Sequence, residues 1–414
     1  MRSRSPPARK PEPGRAVENH SAKFATPYGV VHVATRDQVE RCPAWSAAFA
    51  DHRQDHRYYA IVEDTIRQGF EYRYFVLEDR DGHVKAVQPF FLLDQDLLGG
   101  AGRSITRLAR GLRKMFPRFL VLRTLMIGCA AGEGHLDGDQ NGKAAWIANC
   151  LHAALVQYAQ HADASLIVMK EFPSAYRPAM ACMSNDGYAR VPSFPMTRLR
   201  LDGYNDFDAY MAAAMSKNAR KSLRRNLRRA QSGGPIELEV KSDVTPIIDE
   251  VYPLYLQVYD RAQLRFEKLT PDYLARLGRE MPEKARFFIW RKDGRAVAFA
   301  VTMLSGGDTL YDMYLGMQYP LALDLHLYFY TFRDVISWAI AQRLKWYCST
   351  PLGYDPKLQL GCDLLPLDLY VRHRSPIANF FMKRLMPWLE PTRHDKTLRE
   401  FANYHELWGD DARR

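Results

Sequence analysis

The chain has 414 residues, 47% of them apolar and 25% charged, the proportions of folded globular domains at a length that suggests two or three of them. No run approaches the roughly 20 apolar residues of a membrane-spanning helix, so an integral membrane protein is excluded, as are a coiled coil, a collagen-like rod and a wholly disordered chain. Net charge is +11, from 58 Lys and Arg against 47 Asp and Glu, and two segments account for all of it.

Taken in chain order, residues 1–22 read as a disordered, basic and Pro-rich tail without the apolar core of a secretory signal. Six scattered cysteines form no CxxC pair, which indicates neither a disulfide scaffold nor a zinc ribbon, and a reducing cytoplasm fits best. His52 and His56, flanked by Asp51 and Asp55, have the spacing of a helical metal site. Without a third ligand nearby, a solvated helix face is preferred and no metal is expected. Tyr72 to Leu93 then reads as strand, Asp81-Gly82 turn, strand.

Arg103 to Arg123 carries seven bases and no acid (Arg103, Arg107, Arg110, Arg113, Lys114, Arg118, Arg123). Apolar residues interleave with them in the pattern of an interfacial helix broken by Pro117. A third strand follows near Phe119 to Ile127. The glycine-rich Gly128 to Gly134 is a weak phosphate-cradle signal. A helix with Trp146, Ile147, Cys150, Leu151, Ala154, Leu155 and Tyr158 on its apolar stripe comes next, then strands at Ser165–Met169 and Met196–Leu201.

Lys217 to Arg229 again holds seven bases and no acid: Lys217, Arg220, Lys221, Arg224, Arg225, Arg228 and Arg229. At 100° per residue they occupy one half of a helix, opposite Ala219, Leu223, Leu227 and Ala230. Ser216 can cap the start, and Gly233-Gly234-Pro235 stops it. Such local basicity points to an anionic partner. After it the earlier order recurs. Phe287 to Leu304 is a hairpin about Asp293-Gly294, and Thr309 to Gly316 is a third strand. A helix carries Leu325 to Ile340, and strands at Lys345–Ser349 and Leu367–Val371 close the copy. An internal repeat therefore organises the chain. In each copy the helix joining the third and fourth strands requires those two to be parallel. Ile377 to Leu389 forms a further amphipathic segment with Phe380, Phe381, Lys383, Arg384 and Trp388.

The stretches Leu254–Leu277, Tyr311–Ile340 and Gly353–Ser375 resemble the FemAB-like, peptidoglycan-biosynthesis-type branch of the GNAT superfamily of N-acyltransferases, and so does the basic helix. The resemblance implies a mixed α/β fold of two tandem GNAT-like domains, each a mixed sheet flanked by helices. The expected divisions are a tail at 1–22, domains at 23–201 and 202–375, and a peripheral extension at 376–414. It also implies transfer of an acyl or aminoacyl group to a small-molecule amine, in cell-envelope or metabolite biosynthesis. Lys357 and Gly361 match the family's lysine and glycine, and His326 matches its Leu-His pair. The Gln/Arg-rich acyl-CoA loop of ordinary GNAT enzymes is missing after Gly316, so acyl-CoA and aminoacyl-tRNA both stand as the anionic donor.

Amide formation needs a base, an oxyanion site and a proton for the leaving group. Asp312 and Tyr314, two apart on a strand, are expected on one face. Asp324 and His326 are expected to open the long helix, and Tyr354 and Lys357 to occupy the loop before the last strand. Asp312 or Asp324 is the expected base, Tyr354 or Tyr314 the proton donor, and Lys357 the cation that holds a carboxylate or phosphate. Lys217, Arg220, Arg224, Arg225, Arg228, His326 and Gly361 are expected to bind substrate or phosphate, with the basic rod at the seam between the sheets. Glu267 and Lys268, ahead of a helix start at Thr270-Pro271, are expected to close over the substrate. The alternatives are a non-catalytic RNA-binding protein and a peripheral protein of anionic membranes, both using the basic segments.

Overall fold

The computed structural model describes residues 22–96, 121–138, 142–232, 234–262 and 264–409. The tail, the body of the first basic segment (Arg103 to Leu120) and the side chain of Ala230 lie outside them.

The first half lays down β1 (Lys23–Thr26), β2 (Gly29–Ala34), β3 (Glu71–Glu78) and β4 (Val84–Asp96) as an antiparallel meander, followed by β5 (Val121–Ile127), β6 (Leu166–Pro173), β7 (Ala189–Pro192) and β8 (Met196–Arg200). The helix Lys143–His161 returns the chain from β5 to β6, and those two strands are parallel, with Thr124 opposite Leu166. Its buried side is the expected stripe, including Ile147, Cys150, Leu151, Ala154 and Leu155. Trp146 is the exception, reaching out to donate its ring N–H to the Tyr28 carbonyl at 3.2 Å.

The second half repeats the order with β9 (Glu237–Lys241), β10 (Ala285–Lys292), β11 (Arg295–Ser305), β12 (Thr309–Met317), the helix Leu327–Ala341, β13 (Trp346–Ser349), β14 (Asp363–Leu365) and β15 (Leu367–His373). Asp293 and Gly294 both adopt positive φ, 51° and 76°. That is the two-residue turn whose twist suits adjoining strands. β12 and β13 are parallel. Sheets and helices thus form two mixed α/β units of one design.

The closing strands are exchanged. β8, from the first half, pairs with β13 and β14 in the second sheet, while β15, from the second half, pairs with β6 and β7 in the first. Alternating hydrophobicity marks a segment as a strand but carries no information on which edge receives it. An ion pair secures the exchange: Asp368 of β15, fully buried, accepts from Arg177 at 2.7 Å and Arg190 at 3.0 Å, both from the first half.

The C-terminal segment also differs from a peripheral extension. Leu398, Phe401, Leu407 and Trp408 are buried in the core of the second unit, and Arg177 and Arg190 donate to carbonyls of Glu406, Leu407 and Trp408. One apolar cluster spans both units, joining Val87, Phe91 and Met126 of the first to Val251, Phe299 and Met313 of the second. A second lies on the outer face of the second sheet, beneath the helix Leu327–Ala341.

Candidate active site

In the second unit the ladder between the parallel strands stops at Asp312 opposite Ser349, while β12 continues to Met317. The sheet opens there. Gly316 sits under the helix Ile248–Tyr259 so closely that a Cβ would stand 2.6 Å from the Tyr255 backbone nitrogen.

A bulge shapes the opening. Val301 faces Tyr314 but Thr302 faces Asp312, so Met313 is extra. An extra residue reverses the alternation of side chains. Asp312 and Tyr314 therefore point to opposite faces, contrary to the expectation from their spacing. Toward the outer face, the Asp312 carboxylate accepts from the Tyr347 hydroxyl at 2.7 Å. Toward the inner face, the Tyr314 hydroxyl donates to Glu267 at 2.9 Å.

The inner pair is the richer chemically. Glu267 lies on the loop between the helices Ile248–Tyr259 and Pro271–Glu280, the latter capped by the Thr270 hydroxyl on the Tyr273 N–H at 3.1 Å. Burial raises the Glu267 pKa despite the opposing pull of Lys170 and the Tyr314 hydrogen bond. Lys170 comes from β6 of the first unit and donates to the Gly132 carbonyl at 2.8 Å and to Glu171. Burial alone would lower its pKa, but Glu171 and Glu267 outweigh that and keep it protonated. Burial also drives the Tyr314 pKa far up, so this phenol, its proton already committed to Glu267, is a poor acid. Groups of both units thus act on Glu267.

Tyr354 and Lys357 lie on the short helix Tyr354–Gln359 and not in a loop; on the outer face Lys357 is 2% exposed, and its ammonium donates to the carbonyls of Thr350 and, at 2.8 Å, Leu352. It fixes the loop that forms the other wall of the opening instead of presenting a charge to solvent. Burial lowers its pKa to about 8, and burial raises that of Asp312 to about 6. Tyr354 is buried and donates to the Pro195 carbonyl at 2.9 Å, which makes it a tie between the units and removes it as proton donor. Asp324 ends the short helix Leu321–Asp324 and is exposed, so it does not start the long helix. His326 does, in a left-handed conformation with φ 49°.

The basic helix, Lys217–Ser232, starts with the expected cap, the Ala219 N–H on the Ser216 hydroxyl at 3.2 Å. Leu223 is buried, with Ala219 and Leu227 packed beside it, in the outer cluster. The rod therefore lies on the outer side of the second unit, not at the seam between the sheets. Arg220 donates to the Ala212 carbonyl at 2.7 Å and Arg228 to that of Arg224 at 3.3 Å. Lys221, Arg225, Arg228 and Arg229 line an open groove of about 570 Å³. Arg229 comes within 3.4 Å of His326, which brings the cations to the N-terminus of the long helix, itself favourable to anions. Ser216, Asn218, Ser222, Gln359 and Gly361 line a second groove of about 400 Å³. The exposed Lys217 and Arg224 complete the charged side.

Two earlier expectations fail on packing. Gly128 to Gly134 cradles no phosphate, because the loop is buried, with Gly134 pressed on the Lys170 carbonyl and the Phe172 ring. Its Glu133 is paired with Arg53, whose guanidinium also lies 3.8 Å above the Tyr311 ring. The histidine pair shares no helix, since the helix begins at His56 and Asp55 caps it, accepting from Arg57 and Tyr58. Asp55 also pairs with Lys284 of the second unit at 2.7 Å, so this segment is an inter-unit contact and not a solvated face.

Residues 217–355 match the family described as acetyltransferase (GNAT) domain. Residues 217–355 carry a GNAT domain. That stretch contains Glu267, Asp312, Tyr314 and His326, and the first unit repeats its order of elements, giving a fold of two tandem GNAT-like units. The crystal structure of FemX superimposes with a TM-score of 0.51 at 10% identity, over 79% of this chain and 93% of that one, a likeness of fold. Also similar are the C-terminal domain of a putative lysylphosphatidylglycerol synthetase from Agrobacterium fabrum (14% identity, 84% and 96% covered, TM-score 0.47) and a tandem GNAT protein from the clavulanic acid biosynthesis pathway (11% identity, 84% and 99% covered, TM-score 0.44). No curated protein matches the sequence. Among the described residues, no helix is long and apolar enough to cross a membrane.

Proposed function

We propose that the protein is an N-acyltransferase that moves an acyl or aminoacyl group from an anionic carrier to an amine, with the reaction in the GNAT domain. The observation that carries this reading is the Glu267–Tyr314 pair beside the open end of β12. An amine with a pKa near 10.4 arrives as the ammonium ion. One ammonium proton passes to water, the neutral nitrogen attacks the carbonyl carbon, and Glu267, made more basic by burial, takes the second proton from that nitrogen as the adduct forms. Tyr314 orients Glu267. The developing oxyanion meets the backbone edge of β12 beyond Asp312, where an N–H donor typically contributes about 3 kcal/mol. Collapse of the adduct breaks the bond to the carrier, and Glu267 returns its proton to the leaving group.

The carrier's phosphates suit the outer side, where Lys221, Arg225 and Arg228 line the groove near His326. Acyl-CoA and aminoacyl-tRNA both supply such charge. The six free cysteines accord with a cytoplasmic setting. The test is mass spectrometry of reactions pairing each carrier with a panel of primary amines. Amide formed from one of the carriers is the expected result, and no amide from either removes the reading. The bases also suit a second reading, an RNA-binding protein without catalysis, for which RNA affinity falls steeply with salt while no amide appears.

A further inference from the structure

The helix Pro376–Leu389 packs on β15 and β7 at the edge of the first sheet. Met382 and Met386 are its inward residues, joining the cluster that spans the units. The opposite side is apolar and open. Ile377 is 74% exposed, Phe380 51%, Phe381 58%, Leu385 51% and Trp388 68%. At 100° per residue these five fall within an arc of about 140°. They are five of the eleven exposed large apolar residues among the described part of the chain. A soluble monomer rarely gathers so much apolar surface without a partner.

The charges around this stripe select the partner. The helix holds Lys383 and Arg384, both exposed, and no acid. Lys383 flanks the stripe, whereas Arg384 falls within its arc and lies 4.3 Å above the Phe380 ring, so its aliphatic stem can run along the apolar face while its charge reaches out to headgroup level. The acid that follows, Glu390, is buried and spends both oxygens on the Thr392 and Arg393 N–H groups. An apolar stripe with aromatic residues, long cationic side chains in and beside it, and no acid is the arrangement of a helix lying in a lipid interface. We propose that this helix docks the protein on an anionic membrane surface, with Ile377, Phe380, Phe381, Leu385 and Trp388 entering the acyl boundary and Lys383 and Arg384 meeting the headgroups. The inference is independent of the acyltransfer reading, because the helix lies outside the GNAT segment.

The test is flotation of the full chain with phosphatidylcholine vesicles, with or without about one third phosphatidylglycerol. Wild type is expected to float with the anionic vesicles, and F380S/F381S/W388S to lose bound protein by at least about tenfold. K383E/R384E is expected to bind the two vesicle types equally weakly. All these side chains are exposed, so thermal unfolding should be unchanged, and Lys383→Gln provides a milder variant if the charge reversal misfolds. Wild type that floats with neither vesicle, or a triple variant that floats as wild type does, overturns the proposal. So does a wild-type dimer that the triple variant converts to monomer without any vesicle binding, since the stripe would then be covered by a second copy.

Discussion

Buried charge decides what individual residues do here. Lys357 holds two loop carbonyls and faces Asp312, so Lys357→Met leaves those groups unpaired and should cost about 2–3 kcal/mol in urea unfolding. A loss below about 0.5 kcal/mol would show that the loop stands without it. Asp312 gives a pH test. Its pKa is raised from 3.8 to about 6, so the folded state holds the proton more tightly than the unfolded chain. Its contribution to stability is therefore present below about pH 4 and lost as pH rises through about 6. Asp312→Asn should flatten that part of the stability profile, and an unchanged slope would assign it to other groups. Lys357 was identifiable from its match to the family's lysine, but its burial was not, because a lysine read from sequence as part of a loop is expected to be exposed. The opposite facing of Asp312 and Tyr314 was equally hidden, since a bulge at Met313 leaves no mark on residue spacing. Glu267 was suggested only by its place before a helix start, and its partners Tyr314 and Lys170 lie far from it in sequence.

At the scale of elements, strands and helices followed from local pattern, because alternation and helical stripes are set by burial on one face. The basic helix shows this and its limit. Its apolar side predicted that it packs, and Leu223 is indeed buried; which surface receives it depends on contacts with the helix Leu327–Ala341, distant in sequence. Arg225 and Arg228 line the groove without entering the core. R225E/R228E should therefore weaken carrier binding by about tenfold or more, from two charges near a phosphate, and leave the unfolding midpoint nearly unchanged. Equal losses in both measurements would make the helix purely structural.

Across the whole molecule, duplication is visible in the order of elements, whereas the exchange of β8 and β15 is not. Each sheet takes in one strand of the other half, β15 between β6 and β7 and β8 between β13 and β14. Asp368→Ala should accordingly be among the most damaging substitutions, about 3–5 kcal/mol, because it removes the buried partner of Arg177 and Arg190. A change of less than about 1 kcal/mol would mean that strand pairing alone holds the exchange. The exchange also bears on chemistry, since it holds the first unit, with Lys170 on β6, against the Glu267 loop of the second.

The pH dependence of amide formation by wild type and by Glu267→Gln tests the proposed chemistry most directly. Wild type should lose kcat/KM as pH falls through a carboxylate pKa above its ordinary 4.5. The variant should lack that limb and be slower by about 100-fold or more, the usual contribution of a general base. A variant with the wild-type rate and the same acidic limb would contradict the assignment of Glu267 as the base.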